Sequence, residues 1–402
     1  MPLRIPRICT PWLCRGYSSP TAPPCPPPPT GISNISRFRQ LIEIHGPDAA
    51  QYLQGLTTRN IPTLSDGGGS YSAFLNPQAR IQRTGKVLYD VFIYPTNNNY
   101  FWRSQIAKKN FQPIRHPTTK KVFPLDAPGF FIECDIRSAD ALLDHINRYK
   151  LSSKFDCRLI PRGEWDMWAI WDDRRLLPVG AGDIGCADIR VPYLGKRVAV
   201  FGGKSIGVEV DVAVYNVRRM LHGVPEGQDE ILNGGNIAQE SNIDYMGGVD
   251  FRKGCYVGQE LTIRTHHTGV VRKRVLPVQI YRPGDSVPEK LTYDPNLDLA
   301  PSLPGKNPNI SNLDGKGRGV GKFLRGVGNV GLALCRLEAM TDLELGGEKD
   351  KTVPEFKLDV EGSELRVKAF VPEWHLMGSA IPLAQRNSEP AHKTIVRRIV
   401  SD

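Results

Sequence analysis

The sequence contains no Cys-x-x-Cys pair, no long lysine or arginine tract and no acidic residue before Glu43. It also lacks any apolar run near the roughly 18 residues that a membrane-spanning helix needs. Each absence removes a class of function. Without paired cysteine spacing, a zinc finger or a self-contained iron–sulfur site has no ligand set, because such a cluster usually takes about four protein ligands. Without an apolar span, insertion into a membrane is not expected. The formal charge of +10 is spread along the 402 residues rather than gathered, so nucleic acid is only weakly supported as a partner and is not the one expected, and a basic surface facing an acidic protein fits equally well.

Cysteine is present but scattered. Three of the eight, Cys9, Cys14 and Cys25, fall in the N-terminal stretch. The remaining five, Cys134, Cys157, Cys186, Cys255 and Cys335, are odd in number and far apart, which argues against a disulfide framework. The acid-free start, with Arg4, Arg7 and Arg15 set among hydroxyl and apolar residues, reads as a mitochondrial presequence over 1–17. Seven prolines between Pro20 and Thr30 then predict an extended linker over 18–34.

Against this background the octapeptide Lys253-Gly254-Cys255-Tyr256-Val257-Gly258-Gln259-Glu260 stands out. One thiol sits in a loop with a glycine on either side, which lets the backbone turn and be approached closely. Arg252 and Lys253 put positive charge near Cys255 in sequence, and that favours the thiolate, the form that attacks electrophiles and binds metals. Arg264, His266 and His267 follow closely enough to return to the same spot. The competing reading is a buried cysteine acting as a small hydrophobe.

Periodicity organises the rest. Strands are expected at Leu41–Ile44, Tyr71–Leu75, Val87–Tyr94, Phe130–Cys134 and Trp165–Trp171. Helices are expected after Gly46-Pro47-Asp48, after a cap at Ser138, and from Ala213 to His222 with a stop at Gly223. Their irregular interleaving predicts an α+β body over 35–274. Short β-rich runs from Arg274 onward predict a small β-barrel over 275–392, with a flexible insertion at about 283–321.

Several motifs fail on context. Gly326–Gly331 matches the dinucleotide fingerprint by letters, but an alternating strand follows it where a helix is required, so it reads as a turn. Gly202-Gly203-Lys204-Ser205 lacks the phosphate-loop spacing. His266 and His267 are adjacent, and on a strand they would face opposite sides, so at most one joins Cys255. The tryptophans at 165, 168 and 171 lack basic interleaving and read as core. Asp90 reads equally as a binding carboxylate or as a strand-end hydrogen-bonding group.

The octapeptide resembles the K-G-C-[FY]-x-G-Q-E signature of the YgfZ/aminomethyltransferase-like (GcvT-related) family, relatives of the folate-dependent T-protein of the glycine cleavage system. His222–Gly227, Glu240-Ser241-Asn242, the run from Leu261 through His267 to Arg274, Phe74-Leu75-Asn76, Tyr89-Asp90 and Gly328–Gly331 match further blocks in order, and resemble its mitochondrial iron–sulfur cluster assembly branch. The resemblance implies a T-protein-like α+β body followed by a small C-terminal β-barrel, and a non-enzymatic factor in the mitochondrial matrix. Such a factor would work with A-type carrier proteins on [4Fe-4S] apoproteins, with Cys255 as a cluster ligand shared with the partner. Lys253, Gly254, Tyr256, Gly258, Gln259 and Glu260 would shape the loop, with Arg264 and His266 supporting the thiolate. The alternative it implies is a folate-dependent aminomethyltransferase-like transferase, with tetrahydrofolate as cofactor and Asp90 in the folate pocket. A third reading makes Cys255 a nucleophile with His266 or His267 as base. Extra residues at about 81–86 set this chain apart from the pattern.

Overall fold

The computed structural model describes residues 23–64, 68–77, 85–107, 127–180, 182–301, 307–313, 319–343 and 354–379. The presequence range and residues 81–84 of the expected insertion lie outside them.

Two sheets and a barrel carry the chain. In order, the elements are β1 (Thr30–Asn34), β2 (Arg39–His45), α1 (Ala49–Leu56), β3 (Ser70–Leu75), β4 (Val87–Pro95), α2 (Tyr100–Ala107), β5 (Gly129–Asp135), α3 (Ala139–Lys150), β6 (Asp156–Leu159), β7 (Trp165–Asp172), β8 (Ile184–Ala187), β9 (Lys196–Phe201), α4 (Val212–Leu221) and α5 (Gln259–Thr268). There follow β10 (Lys273–Tyr281), β11 (Asn309–Asn312), β12 (Gly321–Val327), β13 (Val330–Arg336), α6 (Leu337–Met340), β14 (Phe356–Leu358), β15 (Arg366–Ala369) and α7 (Glu373–Ser379). One antiparallel sheet runs β3-β4-β5-β2-β6, a second runs β1-β7-β9-β8, and β10-β13-β12-β11-β14-β15 close into a barrel.

The two-residue period of the strands sorts their side chains between two cores. In the five-stranded sheet Ile42, Ile44, Phe74, Val91, Ile93, Phe130 and Ile132 share a cluster with Leu53 of α1 and with Leu142 and Ile146 of α3. The alternate positions, including Leu41, Tyr71, Phe92 and Phe131, join a second cluster with Trp165, Met167, Ile184 and Tyr215. Because both faces are covered, charged residues that alternate with these apolar ones are buried too. Arg39, Asp90 and Glu133 are all at most 1% exposed.

Three expectations need correction. The proline-rich range 18–34 is not all linker. Thr30–Asn34 pairs antiparallel with β7, and the Pro28 carbonyl accepts a hydrogen bond from Trp171 Nε1. Polyproline leaves the chain extended with its carbonyls free, which is compatible with an edge strand. The range 283–321 likewise contributes structure: Ile310 of β11 and Leu299 lie in the barrel core, and β11 bridges β12 and β14. Low hydrophobicity hid a short strand that needs only one buried residue in two. Ser138 makes no side-chain cap for α3; its hydroxyl donates to the Asp135 carbonyl, while the Asp135 carboxylate accepts from Arg137 N–H. The glycine-rich 326–331 segment is a β12–β13 turn, with Gly328 at φ 64°. α4 ends at Gly223 (φ 71°), as its sequence predicts.

After the barrel the chain returns to the body through α7. Trp374 Nε1 donates to the His222 carbonyl, and its ring joins the body core. His375 is 2% exposed, packs edge-on against Tyr245 at 5.6 Å, and its Nε2 has no hydrogen-bond partner. Burial pulls its pKa down to about 3, and the nearby Arg274 guanidinium adds to that. The unfolded chain therefore binds a proton near pH 6.5 that the folded chain refuses. The resulting stability is present above pH 6.5 and is lost as pH falls toward 3. Chemical denaturation at pH 7.5 and at pH 5 is expected to differ by about 2 kcal/mol from this residue alone, and His375→Phe should flatten that slope. An unchanged slope in the variant would refute the assignment.

Candidate thiol site at the end of helix α1

The signature loop is built against one short stretch of chain, residues 54–59, where α1 ends. Asp250 N–H donates to the Thr58 carbonyl at 2.9 Å, and Val257 N–H donates to the Gly55 carbonyl at 2.9 Å. Thr58 Oγ1 donates to the Gly248 carbonyl, and the Arg59 guanidinium to the Gly247 carbonyl. Between these fastenings the chain arches outward. Cys255 is exposed at the arch, whereas Cys134, Cys186 and Cys335 are buried and Cys157 and Cys25 are half-buried. The buried-hydrophobe reading of Cys255 does not hold.

The signature residues differ in what they contact. The Lys253 ammonium donates to three main-chain carbonyls, Gln54 at 2.7 Å, Thr57 at 2.6 Å and Arg59 at 2.9 Å. Burial pulls its pKa down to about 8, opposed by the Asp250 carboxylate. Sequence adjacency suggested that this charge serves the thiol, but it is directed into the end of α1. Tyr256 is 5% exposed, sits in the body core and lies 4.9 Å beneath the Lys253 ammonium. The Gln259 side chain accepts from Tyr256 N–H at 3.1 Å and closes the turn. Gly258 has φ 79°, in the left-handed region, and a Cβ there would meet Leu75 Cβ at 2.7 Å and the Asn76 carbonyl at 3.0 Å. Gly254 has open space around it. Glu260 is exposed in the first turn of α5, where a carboxylate complements the helix dipole.

The supporting residues are arranged differently from the sequence expectation. His266 and His267 lie on α5 rather than on a strand, so they are about 100° apart around one axis. The His266 ring stacks on Phe251 at 3.6 Å, while His267 is exposed. Arg264, two residues before His266 on the same helix, is exposed. The segment read as strand-like because its polar residues show little helical amphipathicity.

Asp90 stands elsewhere, inside the body. One of its oxygens accepts from Arg39 at 3.2 Å and the other from Gly227 N–H at 3.1 Å. Burial pushes its pKa up against the Arg39 charge, with Glu226 and Asp135 pushing the same way as burial. The shallow groove beside Tyr89, lined also by Asp144, His145 and Arg148, has a volume of about 230 Å³. It lies on the helix-covered face of the sheet, opposite to the Asp90 carboxylate, because adjacent strand residues point to opposite faces.

Asp90 belongs to a buried ionic network that sequence reasoning did not find. Arg39 Nε pairs with Glu133 at 2.7 Å, and Arg190 pairs with Asp188 and with Glu226, each at 2.7 Å. Arg197 contacts Glu133, Glu226 and Tyr215, and its guanidinium lies 4.2 Å over the Phe92 ring. Burial opposes ionisation of Glu226, yet Arg197 and Arg190 outweigh it and hold its pKa well below the usual carboxylate range. The available signal was a charge at an inward position of an apolar strand, as with Arg39 in β2, Glu133 in β5 and Arg197 in β9.

Residues 272–376 match the model described as the CAF17 C-terminal β-barrel domain. The fold resembles the glycine cleavage system aminomethyltransferase T from Bartonella henselae, with a TM-score of 0.55 over 86% of both chains at 12% identity. Among curated proteins, the mitochondrial iron–sulfur cluster assembly factor IBA57 homolog of Neosartorya fischeri is 39% identical over 94% of this chain and 90% of its own length. The homolog of Pyricularia oryzae is 43% identical over 87% of this chain and 86% of its own. The body therefore has the aminomethyltransferase fold with a CAF17-type barrel behind it, and the chain belongs to the IBA57 family of mitochondrial iron–sulfur cluster assembly factors.

Proposed function

We propose that the protein works in the mitochondrial matrix as an iron–sulfur cluster assembly factor, supporting maturation of [4Fe-4S] apoproteins together with A-type carrier proteins. Cys255 supplies one ligand to a cluster that the carrier holds jointly. The observation that carries this reading is the thiol of Cys255 on a fastened arch, exposed where the other cysteines among the described residues are not. Among the described residues, no group of three or more His, Cys, Asp or Glu side chains is placed to hold a metal ion. One thiolate leaves most of a cluster's coordination to another molecule. The cluster is cargo here, and the chain contributes a ligand and a docking surface rather than turnover.

The folate-dependent transferase reading finds less support. Its candidate carboxylate, Asp90, already has both oxygens engaged by Arg39 and Gly227. The nucleophile reading needs a base beside the thiol, and the His266 ring is stacked on Phe251. Calorimetric titration with tetrahydrofolate, run beside complementation of a strain lacking its own copy by the Cys255→Ser gene, separates the readings. The assembly reading expects complementation to fail. Tight folate binding together with full complementation by Cys255→Ser would favour the transferase.

A further inference from the structure

The ammonium of Lys253 and the three carbonyls around it form a closed arrangement. Its three N–H donors match three acceptors, the carbonyls of Gln54, Thr57 and Arg59, at 2.6–2.9 Å. Gln54 lies in the last turn of α1 and Thr57 is its C-cap, so two of these groups belong to the helix end, where carbonyls lack intrahelical partners and carry partial negative charge, and Arg59 lies two residues beyond it. A lysine ammonium is a compact point charge with three donors, which suits such a cage, whereas a planar guanidinium does not. Two residues beyond Lys253 is the exposed Cys255, and two residues further Val257 N–H is tied to Gly55. The thiol thus stands between two fastenings to the same helix end.

We propose that Lys253 is a positioning residue for the cluster: it acts as an internal cation that plugs the carbonyl cage at the end of α1 and so fixes the height and direction of Cys255 toward the partner. Its charge does not serve the thiol directly. The inference rests on the reading of Cys255 as a shared ligand. It makes residues 54–59 the platform on which the ligand is presented. The cage also explains why the basic residue of the signature is lysine. Arginine would keep the charge but lose the three-point fit.

The test uses the full-length protein in complex with an A-type carrier, loaded anaerobically, with cluster loss to an iron chelator followed by absorbance. Lys253→Ala and Lys253→Arg are each expected to release the cluster about tenfold faster than wild type, consistent with loss of charge-assisted hydrogen bonds. Millimolar propylammonium, which replaces the atoms that alanine removes, is expected to slow release from Lys253→Ala and to leave Lys253→Arg unchanged. In the same samples, amide hydrogen exchange should rise over residues 250–258 in Lys253→Ala while the barrel keeps its protection, which separates loosening of the arch from unfolding. Wild-type retention in Lys253→Arg would overturn the proposal in favour of a simple charge effect, and unchanged exchange over 250–258 in Lys253→Ala would overturn it outright. If Cys255→Ser retains the cluster as wild type does, the ligand reading fails instead, and the exchange measurement still decides whether Lys253 fastens the arch.

Discussion

Arg197→Met is expected to destabilise the protein by about 4 kcal/mol, within the range found when one partner of a buried ion pair is removed. The guanidinium is fully buried and contacts Glu133, Glu226 and Asp188 at once, so its loss leaves three buried carboxylates sharing only Arg39 and Arg190 as cations. Methionine refills much of the volume over Phe92 but offers no donor. The expected readout is a melting temperature lower by roughly 10 °C, or loss of soluble protein. Adding Glu226→Gln to Arg197→Met should recover part of that loss, because it removes one of the excess buried negative charges. Additive destabilisation by the pair would show that the arginine stabilises through packing rather than charge.

Two glycines of one signature are expected to behave in opposite ways. Gly258→Ala forces a side chain into a left-handed conformation and against Leu75 and the Asn76 carbonyl. Left-handed strain and overpacking each cost about 1–3 kcal/mol, so a loss of about 2–4 kcal/mol is expected. Since Gly258 opens α5 and backs the Cys255 arch, cluster retention with the partner should weaken as well. Gly254→Ala meets open space and should change stability by no more than about 0.5 kcal/mol. Urea denaturation of the two variants checks this directly, and equal effects would mean that the arch is not held as described.

These two glycines also mark what the sequence made legible. Both read as hinges, and only the structure distinguishes the one that bears on a neighbouring backbone from the one that faces solvent. The strands β2 to β5 were readable because their apolar residues alternate or run unbroken, and the tryptophans of β7 because nothing basic accompanies them. The signature cysteine was readable from its octapeptide. The network around Arg197 was not, because its members come from five separated parts of the chain, and a charge in a strand looks solvent-facing until a second sheet covers it. Lys253 misled for the opposite reason: it neighbours Cys255 in sequence, yet its long stem carries the charge to α1. β1 and β11 were hidden by proline and by polar residues, and α5 by its weak amphipathicity, since helices and strands held mainly by tertiary contacts need little pattern of their own.

We propose Cys255 as a ligand of a cluster shared with an A-type carrier. The most direct test of this is the iron and acid-labile sulfide content, with the visible spectrum, of the anaerobically co-purified complex, wild type beside Cys255→Ser. Stoichiometric iron and cluster colour in the wild-type complex, lost or markedly weakened in the variant, is the expected result. A cluster equally abundant and equally stable in both would contradict the claim.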